Sequence, residues 1–454
     1  MTFARFGLKR IDLLILLISS IMAFGIANLP FKSKPFGDIT FHEEAKNLAL
    51  YIKGNASFEA VVITKAPGPV FLYSLAYIFA PPDATDDQLW WYGVTLTSIL
   101  IALSLLLIYR ATSLLFSEKI GLLAVILAFI FPIHSYYSLG IVAEAPAFFA
   151  TSLTCYGWAL IKNKTRLSGW IWLVVGIWFL VLNRPNALLL PMLGILVTAY
   201  AFWGNKHFFE LYGKRTLIAM SAIILLSFGT LEFAKAITKG KTDQDQAWYF
   251  YYVAHQGRFE FREEPTDFRF WENTIRPDSK DYQNWSKSGH ELNQKAASTG
   301  ISRNELYKEF LINDAIEHPF WFVRSFFMKC IYGNLYFVNS IQPEKFSLGP
   351  FKGENGYWTL MLLINFVNIA VIAGAVLFLF KQKNLINYWP LWATMVALLI
   401  FHGVTYMEPR YIFPSRAALY ILSAAGLYRF RFIRKFIDWM SRFVFPERSV
   451  TTSS

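Results

Sequence analysis

At 454 residues, 55% hydrophobic and 18% aromatic, the chain carries only 16% charged residues, against about 25% in a soluble domain, which excludes an ordinary soluble globular protein. The net charge of +12 falls in short connections between apolar runs, which argues against a nucleic-acid-binding face. Two distant cysteines, Cys155 and Cys330, supply neither a disulfide framework nor a cysteine metal site.

The apolar runs approach the ~20 residues that a helix needs to cross about 30 Å of hydrocarbon. They are not the short alternating segments of a closed barrel. The expected class is therefore an all-α integral membrane protein with about ten transmembrane helices. In chain order these are expected at 11–29, 91–113, 119–136, 141–161, 169–182, 186–203, 216–237, 356–380, 386–403 and 411–428. No small-residue cleavage site follows the first run, so it reads as a retained helix.

Orientation follows from basic residues in the short connections. Arg5, Lys9 and Arg10 precede the first span; Lys162, Lys164 and Arg166 follow the fourth; Lys206, Lys214 and Arg215 separate the sixth from the seventh. Lys381 and Lys383 follow the eighth, and Arg429, Arg431, Arg434 and Lys435 follow the last. All fall on one side if both termini are cytoplasmic. The division expected is 1–237 as a membrane module with a first outer loop at 30–90, and 238–355 as a large outer-face segment. C-terminal membrane helices at 356–428 and a basic tail at 429–454 complete it.

Within the outer segment, "SRNELYKEFLINDAIEHPFWFVRSFFMKCIYGN" reads as a polar helix, a His-Pro break and an amphipathic helix along the membrane surface, with Arg324 and Lys329. The tail "YRFRFIRKFIDWMSRFVF" reads as an interfacial helix against anionic lipid. No Gly-rich phosphate loop is present, so ATP-driven transport has no support.

Candidate chemistry gathers at the outer ends of the spans. The stretch "KPFGDITFHEEAKNL" supplies Asp38, His42, Glu43 and Glu44 just after the first span. Glu144 opens the fourth span in "GIVAEAPAFF", where a carboxylate is costly without a partner or a task. Arg184 occupies the tight turn "VLNRPNALL", and Glu408, Arg410 and Tyr411 stand at the mouth of the last span in "HGVTYMEPRYIFP". Carboxylates and guanidinium groups at one membrane face suit a lipid-phosphate substrate, because arginine's planar fork matches phosphate oxygens. Asp38 and Glu144 fit either of two roles: a base that takes a proton from an acceptor, or ligands of a divalent cation, Mg or Mn, at the leaving phosphate. His42 and His402 read as polar packing rather than metal ligands, because no His-x-x-x-His spacing supports them. Glu43 and Glu44 read as polar positions on a surface helix. Trp90, Trp91 and Tyr92 fit an interfacial aromatic belt.

Six stretches in order carry a resemblance: "GDITFHEEAKNL", "KAPGPVFLYSLAYIFA", "AEAPAFFATSL", "NRPNALLLP", "IEHPFWFVRSFF" and "EPRYIFPSRAAL". Together they resemble the GT-C polyprenyl-phosphate-dependent glycosyltransferases, which include the protein O-mannosyltransferases and the lipid A aminoarabinose transferases. The first stretch departs from that pattern, with Ile39 and Phe41 where an acidic pair or a tyrosine is commoner, and Glu144 stands where many members carry Asp. The resemblance implies a bundle of transmembrane helices with two surface helices in the first outer loop. It implies a catalytic role for Asp38 with Glu144 assisting. Lys65, Arg184 and Arg410 would bind the donor phosphate, with Glu43, Glu408 and Tyr411 supporting. The implied donor is a polyprenyl-phosphate sugar, with undecaprenyl as the expected carrier, and the acceptor a glycan, lipid or protein; membrane lipids are partners and nucleic acid is not. The rival expectations are a multi-span transporter or lipid flippase, which calls for charges near the midplane and paired broken helices, and a non-enzymatic receptor.

Overall fold

The computed structural model describes residues 9–27, 39–130, 140–164, 167–238, 246–263, 279–335, 347–348, 350–407 and 409–444. The chain is an all-α membrane fold, as composition demands: in hydrocarbon a helix satisfies its own backbone polar groups. Among the described residues the one exception is a two-residue antiparallel hairpin, Ser347–Leu348 against Phe351–Lys352. The chain divides into two compact units, one comprising 1–237, 369–395 and 414–454, the other 238–368 and 396–413.

Among the described residues, five helices are long and apolar enough to cross a membrane: Asp86–Leu115, Pro185–Gly204, Lys206–Thr238, Gly353–Lys381 and Leu385–Val404. They coincide with five of the ten expected spans. The other five spans are helices too, at Arg10–Ala27, Glu118–Ile130, Glu144–Lys164, Leu167–Asn183 and Arg416–Leu427. They are shorter or interrupted by polar residues. Arg416–Leu427, with 12 residues, rises only about 18 Å at 1.5 Å per residue.

The first unit opens with α1 (Arg10–Ala27), followed by α2 (Ile39–Ile52), α3 (Pro67–Ile78) and α4 (Asp86–Leu115). Asp12 on α1 is 1% exposed and meets the Arg110 guanidinium of α4 at 2.7 Å, since a buried charge needs a partner. The start of α4 is set by a reciprocal cap. The Thr85 hydroxyl accepts from Gln88 N, and the Gln88 side chain accepts from Thr85 N, which satisfies two orphan donors. After α5 (Glu118–Ile130) come α6 (Glu144–Lys164) and α7 (Leu167–Asn183), packed side by side. Then follow α8 (Pro185–Gly204) and α9 (Lys206–Thr238), the latter with a π-helical stretch at Phe209–Gly213.

Trp158 of α6 donates to the Asn387 carbonyl at 2.9 Å and meets Trp389 edge-on at 5.9 Å. Arg416–Leu427 (α16 below) is buried from Arg416 through Gly426, the mark of a helix enclosed on all sides. The terminal helix Arg431–Val444 (α17 below) exposes Phe432, Phe436, Trp439 and Phe443 in a row. Its Asp438 accepts from Lys119 at 2.7 Å and from the Tyr428 hydroxyl at 3.1 Å.

In the second unit, α10 (Gln246–Phe259) packs on α11 (Lys280–Thr299) and α12 (Arg303–Glu317), with Gly300 in the left-handed conformation between the last two. The His-Pro break is present: α12 ends at Glu317, and Pro319 begins α13 (Pro319–Asn334), where its missing N–H costs nothing. Phe320, Val323, Phe327 and Ile331 line an exposed stripe along α13, but Lys329 faces inward at 2% exposure. The charged core of this unit is Asp314, which accepts from Arg258 Nε at 2.5 Å and Arg262 at 3.1 Å. The chain then continues through α14 (Gly353–Lys381), α15 (Leu385–Val404), α16 and α17.

Candidate active site

In the first unit the site grows from the two surface helices. The period of α2 puts Phe41, Ala45 and Ala49 inward, and they join Ile63, Val70, Tyr73 and Tyr77 in one apolar cluster with Ile141 and Ala143. Apolar burial therefore seats α2 and α3 against the segment that leads into α6. The Tyr73 hydroxyl donates to the Val142 carbonyl at 2.8 Å and accepts from Val142 N at 2.9 Å. Burial pushes the Tyr73 phenol well above its usual range, so both bonds persist at neutral pH. This clamp fixes the backbone two residues before Glu144.

Glu144 itself is 4% exposed, and its Oε1 accepts from the Arg184 guanidinium at 2.5 Å. The structure thus brings together two of the predicted residues, from the start of α6 and the end of α7. A lone buried carboxylate would be strongly disfavoured, and the guanidinium compensates it.

The turn that carries Lys65 is held against the same end of α7. A Cβ on Gly68 would lie 2.8 Å from the Leu182 backbone and 2.9 Å from Asn183, so only glycine permits this approach. Lys65 lies three residues before that contact, and Arg184 follows Asn183 directly. The Lys65 ammonium is half-buried over the Phe41 ring, 5.8 Å from its centroid.

Glu44 departs from the sequence reading. It is 6% exposed rather than a solvated surface position. Its Oε1 accepts from Thr64 N at 2.9 Å and from the Thr64 hydroxyl. The carboxylate anchors the residue next to Lys65 to the surface helix. The signal was present in the spacing: Glu44 falls on the face of α2 defined by Phe41, Ala45 and Leu48. Glu43, one residue earlier, is exposed. Asp38 and Glu408 lie outside the described residues.

Arg410 and Tyr411 belong to the second unit. The Arg410 guanidinium lies over the Tyr411 ring at 5.2 Å, and Tyr411 stacks on His402 at 4.7 Å. His402 is buried, with Nδ1 2.9 Å from the Tyr406 carbonyl. The backbone just before Arg410 is held by residues that sequence reasoning missed. Glu260, 1% exposed, accepts from Met407 N at 3.1 Å. Lys329 donates to the Thr405 carbonyl at 2.6 Å and lies 3.8 Å from Glu260. Burial pushes the Lys329 amine down to about 8, against the opposing pull of Glu260. Gly257 leaves room for the Thr405 carbonyl, which a Cβ would meet at 1.6 Å. No local motif announces this set, because Glu260, Lys329 and Thr405 lie more than 60 residues apart in the chain.

A scan against protein-family models returns no match for the chain, and a search of curated proteins returns none. Among solved structures, the chain is similar to the archaeal oligosaccharyltransferase AglB from Archaeoglobus fulgidus in complex with an inhibitory peptide and a dolichol-phosphate. The TM-score is 0.51 at 13% identity, over 96% of this chain and 54% of that one. The apo form of that enzyme gives 0.50 at 15% identity, with the same coverage. ArnT from Cupriavidus metallidurans bound to undecaprenyl phosphate is a weaker likeness, at 0.38 and 10% identity over 92% of this chain and 76% of that one. The chain spans about half the length of the oligosaccharyltransferase. The likeness is one of fold alone: the chain shares the helical membrane fold of the oligosaccharyltransferase.

Proposed function

We propose that the chain is a membrane glycosyltransferase that moves a sugar from a polyprenyl-phosphate donor to a glycan, lipid or protein acceptor at the outer face, with both termini cytoplasmic. The observation that carries this reading is the buried Glu144–Arg184 pair at the adjoining ends of α6 and α7, in a chain with the helical membrane fold of the oligosaccharyltransferase. Arg184 and the half-buried Lys65 supply the cations a lipid phosphate requires; Arg410 is a further candidate from its place in the sequence alone. Glu144 holds the guanidinium in place, Glu44 and Thr64 fix the turn of Lys65, and Glu408 and Tyr411 orient Arg410.

In this scheme Asp38 takes the proton of the acceptor hydroxyl or amine as that atom bonds to the anomeric carbon. The bond from the anomeric carbon to the donor phosphate breaks, and the electron pair leaves with the lipid phosphate, which the cations stabilise. Arg184 takes one oxygen of Glu144; in the alternative role Asp38 and Glu144 would instead hold a divalent cation, magnesium or manganese, which would neutralise the leaving phosphate. The spent lipid departs sideways into the outer leaflet. The outer segment at 238–355 covers the acceptor.

The test uses purified protein with synthetic polyprenyl-phosphate sugars and measures released lipid phosphate, with and without added metal. Asp38→Asn is expected to abolish release while thermal stability is retained. Near-normal turnover in that variant, or no release by wild type with any donor sugar, overturns the reading.

A further inference from the structure

A second group of metal-ligating side chains lies apart from the Glu144–Arg184 pair. His42 and Glu43 on α2 and Asp86 at the first position of α4 place one ligand atom each within 4.8 Å of one another. The imidazole is the fixed member. Its Nδ1 is 2.9 Å from the Tyr77 hydroxyl, and the Tyr77 ring holds it edge-on at 5.5 Å. That contact leaves Nε2 facing Asp86, 3.9 Å from Oδ1. Glu43 and Asp86 are exposed.

We propose that His42, Glu43 and Asp86 form a zinc site that ties the surface helix α2 to the start of α4. An imidazole with two carboxylates and an open fourth position is a donor set that zinc accepts in tetrahedral geometry. Bonds of about 2.0–2.2 Å bring tetrahedral ligand atoms to about 3.4 Å apart, so the two carboxylates close by roughly 1 Å around a stationary ring. When Nδ1–H donates to the Tyr77 hydroxyl, the Nε2 lone pair is available to the metal; this is the usual outer-shell control of a ligating histidine. Lys46 donates to the same carboxylate, 2.6 Å from Asp86 Oδ1, and this exposed ammonium gives up that oxygen as the ion binds. Glu44 is turned away to Thr64 and takes no part. The site differs from the Asp38 and Glu144 pair in every ligand, and it rests on this geometry rather than on the proposed reaction.

The experiment uses the full chain in detergent, stripped with chelator, and titrates Zn²⁺ by calorimetry and Co²⁺ by its visible absorption. In an Asp38→Asn background, which removes the cation position proposed at Asp38 and Glu144, one ion per chain is expected, with the absorption intensity of a four-coordinate site. His42→Ala and Asp86→Asn should each weaken binding at least about 10-fold, and Tyr77→Phe about 10-fold through loss of ring orientation. Asp86 is exposed, so its variant keeps the fold and the test stands even if His42→Ala destabilises α2. Asp38→Asn should leave the affinity unchanged. The absence of saturable binding, binding undiminished by both ligand substitutions, or loss in Asp38→Asn would each overturn the site.

Discussion

His255 shows how much one buried side chain can govern. It is fully buried among Phe259, Tyr307 and Phe310, with Nε2 2.9 Å from the Ser288 hydroxyl. Burial pushes its imidazole down to about 3, whereas an unfolded histidine titrates near 6.5. Between those values the unfolded state binds more protons, so stability is full above about pH 6.5 and is lost as pH falls toward 3. Wild type should lose about 2 kcal/mol between pH 6.5 and 4.5 relative to His255→Gln. Thermal melts of the two proteins in matched buffers check this, and parallel pH profiles would refute it. The sequence showed a histidine in an aromatic run; only the packing showed that it stays neutral.

At the scale of elements, the surface helices α2 and α3 explain how a charged loop becomes a site. The resemblance implied both surface helices, and the His-Pro junction before α13 was readable from the residues themselves. What spacing could not supply was the partner of each polar group. Glu44 looked solvated and is an anchor for Thr64; Lys329 looked like an exposed amphipathic lysine and is buried beside Glu260. Both follow from contacts across long sequence separations, which no local pattern encodes. The close approach at Gly68 gives a sharp test. Gly68→Ala places a methyl group within 2.8 Å of the α7 backbone, and overpacking of this kind costs about 1–3 kcal/mol. A melt should show that loss, together with reduced lipid-phosphate release, because the Lys65 turn is displaced. An unchanged melt and turnover would mean that the turn is not positioned by α7.

For the whole molecule, the basic residues of the short connections predict a topology that labelling can read. With native cysteines removed, Lys383→Cys should react with an impermeant maleimide only after the membrane is opened, and Asn284→Cys should react from the outside. The reverse pattern would invert the assigned faces and move Glu144 and Arg184 to the cytoplasmic side. The apolar runs and the charge asymmetry were enough to read an all-α membrane fold. They were enough because a bilayer admits few solutions: helices must satisfy their own backbone, and charges must stay near the aqueous ends. The length of each helix was less legible, since a short buried helix such as Arg416–Leu427 is as apolar as a spanning one. Tertiary structure alone decided which charges are paired. It joined Glu144 to Arg184, buried Glu44 and Lys329, and set His42 beside Asp86, because pairing depends on distance in space, and the sequence specifies that distance only through the packing of the whole chain.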